Sequence, residues 1–199
     1  MQTLTVRRFT GSALHDYLDA VARLRIEVFR EFPYLYDGTM DYERKYLQTY
    51  VQCPDAVVVV AFDGATVVGA STGIPMKFEE PQFRQPFLDH GYAPERIFYC
   101  AESVLRREYR GQGVGGRFFD EREAHAQALG GFDWCCFCAV ERPAGHPLRP
   151  AGYQPLDRFW QQRGYTRHPE LGATYHWKDV DQGEQTSKRL VFWLKSVQF

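Results

Sequence analysis

Residues 56–74, AVVVVAFDGATVVGASTGI, constrain the fold more than any other stretch of this chain. Two valine-rich runs flank Asp63-Gly64, a dipeptide suited to a tight turn, and β-branched side chains fit the pleated surface of a sheet. The pattern predicts a hairpin of two adjacent antiparallel strands. Any fold for the chain has to contain that pair and continue it on both sides.

The neighbouring segments supply the continuation. Residues 4–9 alternate like a strand. Residues 13–32 carry Leu14, Leu18, Val21, Leu24 and Val28 at helical spacing, which predicts one long amphipathic helix capped by Ser12 and stopped by Pro33. After the aromatic loop PYLYDGTM a second helix is expected from near Asp41. Residues 76–94 are polar and interrupted by proline, as an inserted loop and short helix would be, and are a candidate lid over a site. Residues 96–105 read as one strand, residues 115–131 as a helix closed by Gly130 and Gly131, and residues 132–140 as a further strand. The four prolines of ERPAGHPLRPAGYQP exclude regular structure there. A short helix stopped at Gly164 follows, and then two alternating strands, 173–180 and 188–197.

With 199 residues, 44% hydrophobic and 25% charged, the chain is expected to form a single domain spanning 1–199. A net charge of -1 provides no global field for a nucleic acid or an anionic membrane, so the expected partner is a small molecule. The N-terminus lacks the apolar stretch of a signal peptide, and no run approaches the ~20 apolar residues that span a bilayer. The expected location is the cytoplasm. The five cysteines are an odd set, three of them in WCCFCAV, and are read as buried free thiols; no metal is expected.

The segment RREYRGQGVGG, residues 106–116, carries the chemistry. Gly111, Gly113 and Gly116 satisfy the spacing of a dinucleotide-binding turn, while Arg110, Gly113 and Gly115 satisfy R-x-x-G-x-G, a different pyrophosphate loop. A dinucleotide fold needs the strand to lead straight into the first glycine and further alternating strand and helix units after Glu141. Here five residues intervene, and a proline-rich loop, one short helix and two antiparallel-looking strands follow. The second reading makes the first helical turn an anion site: the free N–H groups of Gly111, Gly113, Val114, Gly115 and Gly116 face the phosphates, with Arg106, Arg107 and Arg110 nearby. In RGQGVG, and in the element order over almost the whole chain, the sequence resembles the GNAT-type N-acetyltransferases. FWQQRGY is similar to that family's short helix before a Gly-aromatic pair.

The resemblance implies an α/β (α+β) fold with a mixed, mostly antiparallel sheet of about seven strands and flanking helices, and acetyl-CoA as cosubstrate. It implies a pyrophosphate loop of Arg110, Gly111, Gln112, Gly113, Val114, Gly115 and Gly116. It also implies that the signature strand splays from its parallel neighbour, so that Ser103, Val104 and Leu105 offer backbone to the pantetheine arm and a backbone N–H polarises the thioester carbonyl. Glu102, set in the apolar YCAESVL, is the candidate base, with Tyr99 open as an alternative and a structural pairing with an arginine as the competing role. The family's acid tyrosine position, four residues before the glycine, holds Trp160, which cannot donate a useful proton; Tyr153 is the candidate replacement. The acceptor pocket would draw on Tyr34, Tyr36, Glu141, Arg142 and His146, with Arg142 able to hold a substrate carboxylate.

The expected activity is transfer of acetyl from acetyl-CoA to a primary amine of a small molecule by direct attack in a ternary complex. Two alternatives stay open: an acyl-CoA-binding sensor without catalysis, motivated by Trp160, and a nicotinamide-dependent oxidoreductase. A homodimer is compatible with everything above.

Overall fold

The computed structural model describes residues 4–197. Its strands are β1 (Thr5–Phe9), β2 (Val57–Asp63), β3 (Thr66–Pro75), β4 (Ile97–Tyr99), β5 (Ser103–Leu105), β6 (Trp134–Val140), β7 (Thr166–Lys178) and β8 (Gln185–Ser196). Its helices are α1 (Leu18–Phe29), α2 (Met40–Gln52), α3 (Pro81–Asp89), α4 (Val114–Leu129) and α5 (Asp157–Gln162). The sheet runs β1-β2-β3-β4-β6-β8-β7, with β5 paired to β3 beyond β4. All pairings are antiparallel except β4 with β6, which are joined by the crossover helix α4. This is the mixed, mostly antiparallel sheet expected, and β4 and β5 together fill one of its seven positions.

The valine hairpin forms as read, turning at Gly64, whose φ of +58° suits a residue without Cβ. Two cores cover the faces of the sheet. On one face α1, α2 and α3 bury Leu24, Leu47, Phe87 and the inner residues Val58, Val60 and Ile74. On the other, α4 and α5 pack Phe118, Phe119 and Trp160 against Val59, Phe98, Phe137 and Trp193.

Four expectations about the elements need correction. The first helix is shorter than residues 13–32: Gly11–Tyr17 form a 3-10 segment, Ser12 caps nothing, and α1 ends at Phe29, before Pro33 acts. The single strand 96–105 is two strands, because Cys100–Glu102 oppose only two residues of β3 and the extra residue bends the chain. The terminal strands are longer than read; β7 begins at Thr166 and crosses Pro169 through an irregularity between His168 and Gly172. The 76–94 insertion is no loose lid, since Phe83 and Phe87 of α3 are buried against Tyr99, Tyr175 and Phe192.

Candidate functional site

The bend between β4 and β5 creates the site. As far as Cys100, whose N–H donates to the Cys136 carbonyl at 2.7 Å, the strand runs beside β6. Beyond it, β5 pairs only with β3, while β6 continues to Val140 paired only with β8. A gap therefore opens between β5 and β6.

The register says which groups face it. Thr72 N–H donates to Glu102 O at 3.1 Å and Arg106 N–H to Val68 O at 3.0 Å, so residues 102, 104 and 106 turn their backbone groups toward β3. In a strand the next residues point the other way, and Ser103 and Leu105 aim their N–H and C=O groups into the gap. On the facing strand Cys136 accepts from Cys100 and Glu141 donates to Arg189 O, so Cys138 and Val140 turn toward the gap. Two edges without a strand partner thus confront each other, with Leu105 O accepting only from the Arg110 side chain, and such edges are templates for another segment or ligand to complete the sheet. Val104 is buried beneath this edge and its own backbone is spent on β3.

At the end of the gap lies the N-terminus of α4. Gly111 and Gly113 have φ of +76° and +81°, and Gly113 sits at the N-cap. The first helical bond runs from Arg117 N–H to Gly113 O at 3.2 Å, so the N–H groups of Val114, Gly115 and Gly116 project freely, as helix starts do. A Cβ at Gly111 or Gly113 would meet no atom within 4 Å, so the glycines here serve the backbone conformation and leave space in front of it. Gln112 donates to Glu108 O at 3.1 Å and braces the loop. Two of the three expected arginines are already engaged: Arg110 bonds Leu105 O at 3.0 Å and Glu31 at 2.9 Å, and Arg106 pairs with Glu27 at 3.1 Å. All of this fits a diphosphate on α4 and an extended arm along β5.

The opposite end is built of side chains. Glu102 leaves the bend toward α1 and α2, where Arg25 Nη1 abuts its Oε1 and Tyr46 donates to its Oε2 at 2.8 Å. Arg25 also pairs with Glu43 and lies 4.3 Å from the centre of the Tyr46 ring. The side chains of Arg25, Glu43 and Glu102 are 8%, 0% and 9% exposed, so the expected base is part of a buried ion network. Around it stand Tyr34, Tyr50 and Tyr99, each phenol held above its ordinary value chiefly by burial. Tyr99 Oη lies 3.0 Å from Cys138 Sγ, and burial pushes that thiol up to about 12, so it stays protonated and is no nucleophile at neutral pH.

Sequence reasoning missed one member of this group. Glu79, half-buried at the start of the 76–94 insertion, has its carboxyl pushed up to about 7, first by burial and then by the charge of Glu102. The signal was present as the acidic pair Glu79-Glu80 before a helix-starting proline, but only the folded chain brings it within reach of the Glu102 charge.

Several expected pocket residues have other work. Arg142 is a clamp: it bonds both oxygens of Asp179 at 2.7 and 2.9 Å and the carbonyls of Pro33 and Tyr34 at 2.8 and 2.7 Å, and its side chain is 8% exposed. It is not available to a substrate carboxylate. Glu141 is held by Arg167 and Arg189 on the surface. Tyr36 bridges to Asp179 and turns its phenol to Glu43, while Tyr34 stacks on Trp177. His146 lies against Phe32 and accepts from Leu148 N–H at 3.2 Å. Tyr153 meets the Phe32 ring edge-on at 4.7 Å, with the Arg149 guanidinium 5.0 Å over its own ring; burial raises its phenol. Trp160 packs against Phe137 and Trp193 at 4.9 and 5.1 Å between ring centroids. All five cysteines are buried and free.

No protein-family model and no curated protein matches the sequence. Solved structures do. An acetyltransferase of the GNAT family from Streptococcus pneumoniae aligns over 98% of this chain and 100% of its own, with TM-score 0.61 and 14% identity. The chain has the GNAT acetyltransferase fold. A ribosomal-protein-alanine N-acetyltransferase from Brucella melitensis covers 97% of this chain and 99% of its own at TM-score 0.64 and 13% identity. A Salmonella typhimurium candidate acetyltransferase, solved with its cofactor acetyl-CoA, covers 98% and 94% at TM-score 0.61 and 13% identity. Among the described residues no helix is long and apolar enough to cross a membrane.

Proposed function

We propose that the chain is an acyl-CoA-dependent N-acyltransferase that moves acetyl from acetyl-CoA to a primary amine of a small molecule. The observation that carries this reading is the pair of unpaired edges at β5 and β6, in line with the free N–H groups of α4. The start of α4 holds the diphosphate, and the Ser103 and Leu105 backbones bond the pantetheine amides as a neighbouring strand would. The Ser103 N–H, nearest the bend, donates to the thioester carbonyl and stabilises the charge that develops there.

Transfer is direct. The amine nitrogen attacks the carbonyl carbon, the C–S bond breaks, and Tyr153 protonates the departing sulfur. Cys138, on the strand across the gap, is held protonated and so supports no acetyl-cysteine stage at its own sulfur. The test pairs ligand binding with turnover: acetyl-CoA raises the melting temperature and NAD does not, and thiol release accompanies addition of primary amines. Stabilisation by NAD alone overturns the reading.

A second reading, an acyl-CoA-binding sensor, is favoured by one observation: Trp160 occupies the usual acid position and is packed into the core. Saturable acetyl-CoA binding without thiol release toward any of a broad set of amines selects it.

A further inference from the structure

We infer that Arg122 is a positioning residue of the transfer step: it grips the carbonyl of the Glu102–Ser103 peptide and so aims and strengthens the Ser103 N–H that meets the thioester. The inference rests on the transferase reading and adds to it the group that stands behind the oxyanion donor.

The bend leaves a fault in the sheet. Between the pairs Ile74–Tyr99 and Ser71–Ser103 the β4–β5 segment has one residue more than β3, so the ladder loses its register there. Three donors meet at the Glu102 carbonyl in that fault: Thr72 N–H at 3.1 Å, Ser71 Oγ at 2.8 Å and Arg122 Nη1 at 3.1 Å. Arg122 Nη1 also lies 3.3 Å from Thr72 O, and Arg122 Nε donates to Phe118 O at 3.2 Å. The guanidinium thus plugs the fault from the α4 side. A carbonyl has two lone pairs, so the third donor exceeds what is needed to satisfy the group.

The identity of that donor carries the inference. Arg122 is 1% exposed; its partners are carbonyls and the Phe119 ring, whose centre is 4.7 Å from the guanidinium carbon, and among the described residues no carboxylate pairs with it. Burying a cation without a counter-ion is costly, and a neutral donor would satisfy the same carbonyls with a smaller penalty. What the charge adds is a field along the peptide that it holds. The Glu102 C=O and the Ser103 N–H belong to one planar trans unit and point in opposite directions. With the oxygen fixed toward β3 and α4, the hydrogen is fixed toward the gap. A cation on the oxygen draws density from the nitrogen and leaves the hydrogen more positive, as when hydrogen bonds in a chain strengthen one another.

The same helix serves the phosphate end. Arg122 stands eight residues after Val114, about 12 Å along α4, so one rigid rod offers N–H groups to the diphosphate and braces the N–H at the far end of the arm. An oxyanion donor is worth about 10²- to 10³-fold in kcat, and one cooperative bond behind it adds about 10–30% of its strength. Loss of the Arg122 charge is therefore expected to lower kcat by about 1.5- to 8-fold.

The test reads the thioester carbonyl itself, by difference infrared spectra of acetyl-CoA carrying 13C at that carbon, bound to the whole chain without acceptor. Thiol release to butylamine supplies kcat. In wild type the band lies below its position in water, and Arg122→Met returns roughly 10–30% of that displacement while acetyl-CoA affinity holds within about 2-fold. Arg122→Lys, which keeps the charge, stays closer to wild type in both band and kcat. Because an arginine does not titrate, the ratio of variant to wild-type kcat stays flat from about pH 6 to about pH 9. An unmoved band in Arg122→Met, or a loss that Arg122→Lys does not relieve, overturns the inference. So does a ratio that varies with pH, which would route the effect through the Glu102 carboxylate, and so does a fall in affinity as large as the fall in kcat, which would make Arg122 a brace of the fold alone. Should Arg122→Met not fold, Arg122→Gln, which keeps a neutral donor, is judged by the same band, and a band equal to wild type overturns the role of the charge. A wild-type band left where water puts it also overturns the inference. If, in addition, wild type releases no thiol to any of a broad set of primary amines, the transferase reading falls with it; missing variant effects beside a lowered band and turnover in wild type count against Arg122 alone.

Discussion

At the α4 end of the cleft the groups on offer are backbone N–H groups, fixed by two left-handed glycines and a strand that lost its partner. At the α1–α2 end they are side chains: Arg25, Glu43, Glu102, Glu79 and a ring of tyrosines drawn from six separate elements and loops. The first end is specified by local conformation and tolerates changes of side chain wherever the backbone survives. The second is specified by burial and charge pairing, and each member depends on the others. The first suits a ligand of fixed chemistry, and the second can be re-tailored for a new acceptor without touching the first.

The sharpest break between the ends comes from Gly113→Glu. It places a side chain and a like charge where an anion is to sit, and strains a left-handed residue by about 1–2 kcal/mol. Calorimetry should show acetyl-CoA binding weakened beyond ~100-fold while the melting temperature falls by only a few degrees. A variant that binds normally would end the assignment of the α4 loop.

Arg25→Leu tests the other end in the opposite sense. It strands Glu43 and Glu102 as buried charges, a loss of about 3–5 kcal/mol, which at this chain length lowers the melting temperature by roughly 6–20 °C. Acetyl-CoA affinity of the folded fraction should hold. If stability is untouched, the network is not the frame of the acceptor side.

How much was legible in the sequence follows the same division. The valine hairpin, the order of elements and the glycine loop are written in local pattern, and the Ser103 and Leu105 edge follows once the strand is known to bend. The splay was legible only through the family resemblance and the exact place of the bend not at all, because a one-residue mismatch between β3 and 96–105 is a property of pairing. Arg142 was misassigned for a related reason: its partners Pro33, Tyr34 and Asp179 lie more than thirty residues away on both sides, and nothing local marks it as a clamp. Glu79 was passed over because its environment exists only when the insertion folds back against β4.

Two smaller effects sharpen the comparison. Tyr153→Phe should leave acetyl-CoA affinity nearly unchanged and lower turnover by ~10²-fold, the low end for a general acid, in a thiol-release assay. Full turnover would pass the protonation of sulfur to solvent. Smallest is Glu31→Gln, which releases Arg110 from an exposed pair, both side chains more than two-fifths exposed. Such pairs are worth about 0.2–1 kcal/mol after screening, so acetyl-CoA affinity should rise by about 1.5- to 5-fold at low salt and lose that gain in high salt. Weaker binding would mean that Glu31 orders the loop for its ligand.

The unfinished edge at β5 and β6 also bears on how long the molecule survives. A sheet with a missing rung opens there first, and whatever supplies the rung slows that opening. If acetyl-CoA is the supplier, a concentration 100 times its dissociation constant adds about 2.7 kcal/mol to the folded state. Proteolytic lifetime would then rise and fall with the supply of activated acetyl groups, so that a cell short of them would clear the protein sooner and a cell rich in them would accumulate it.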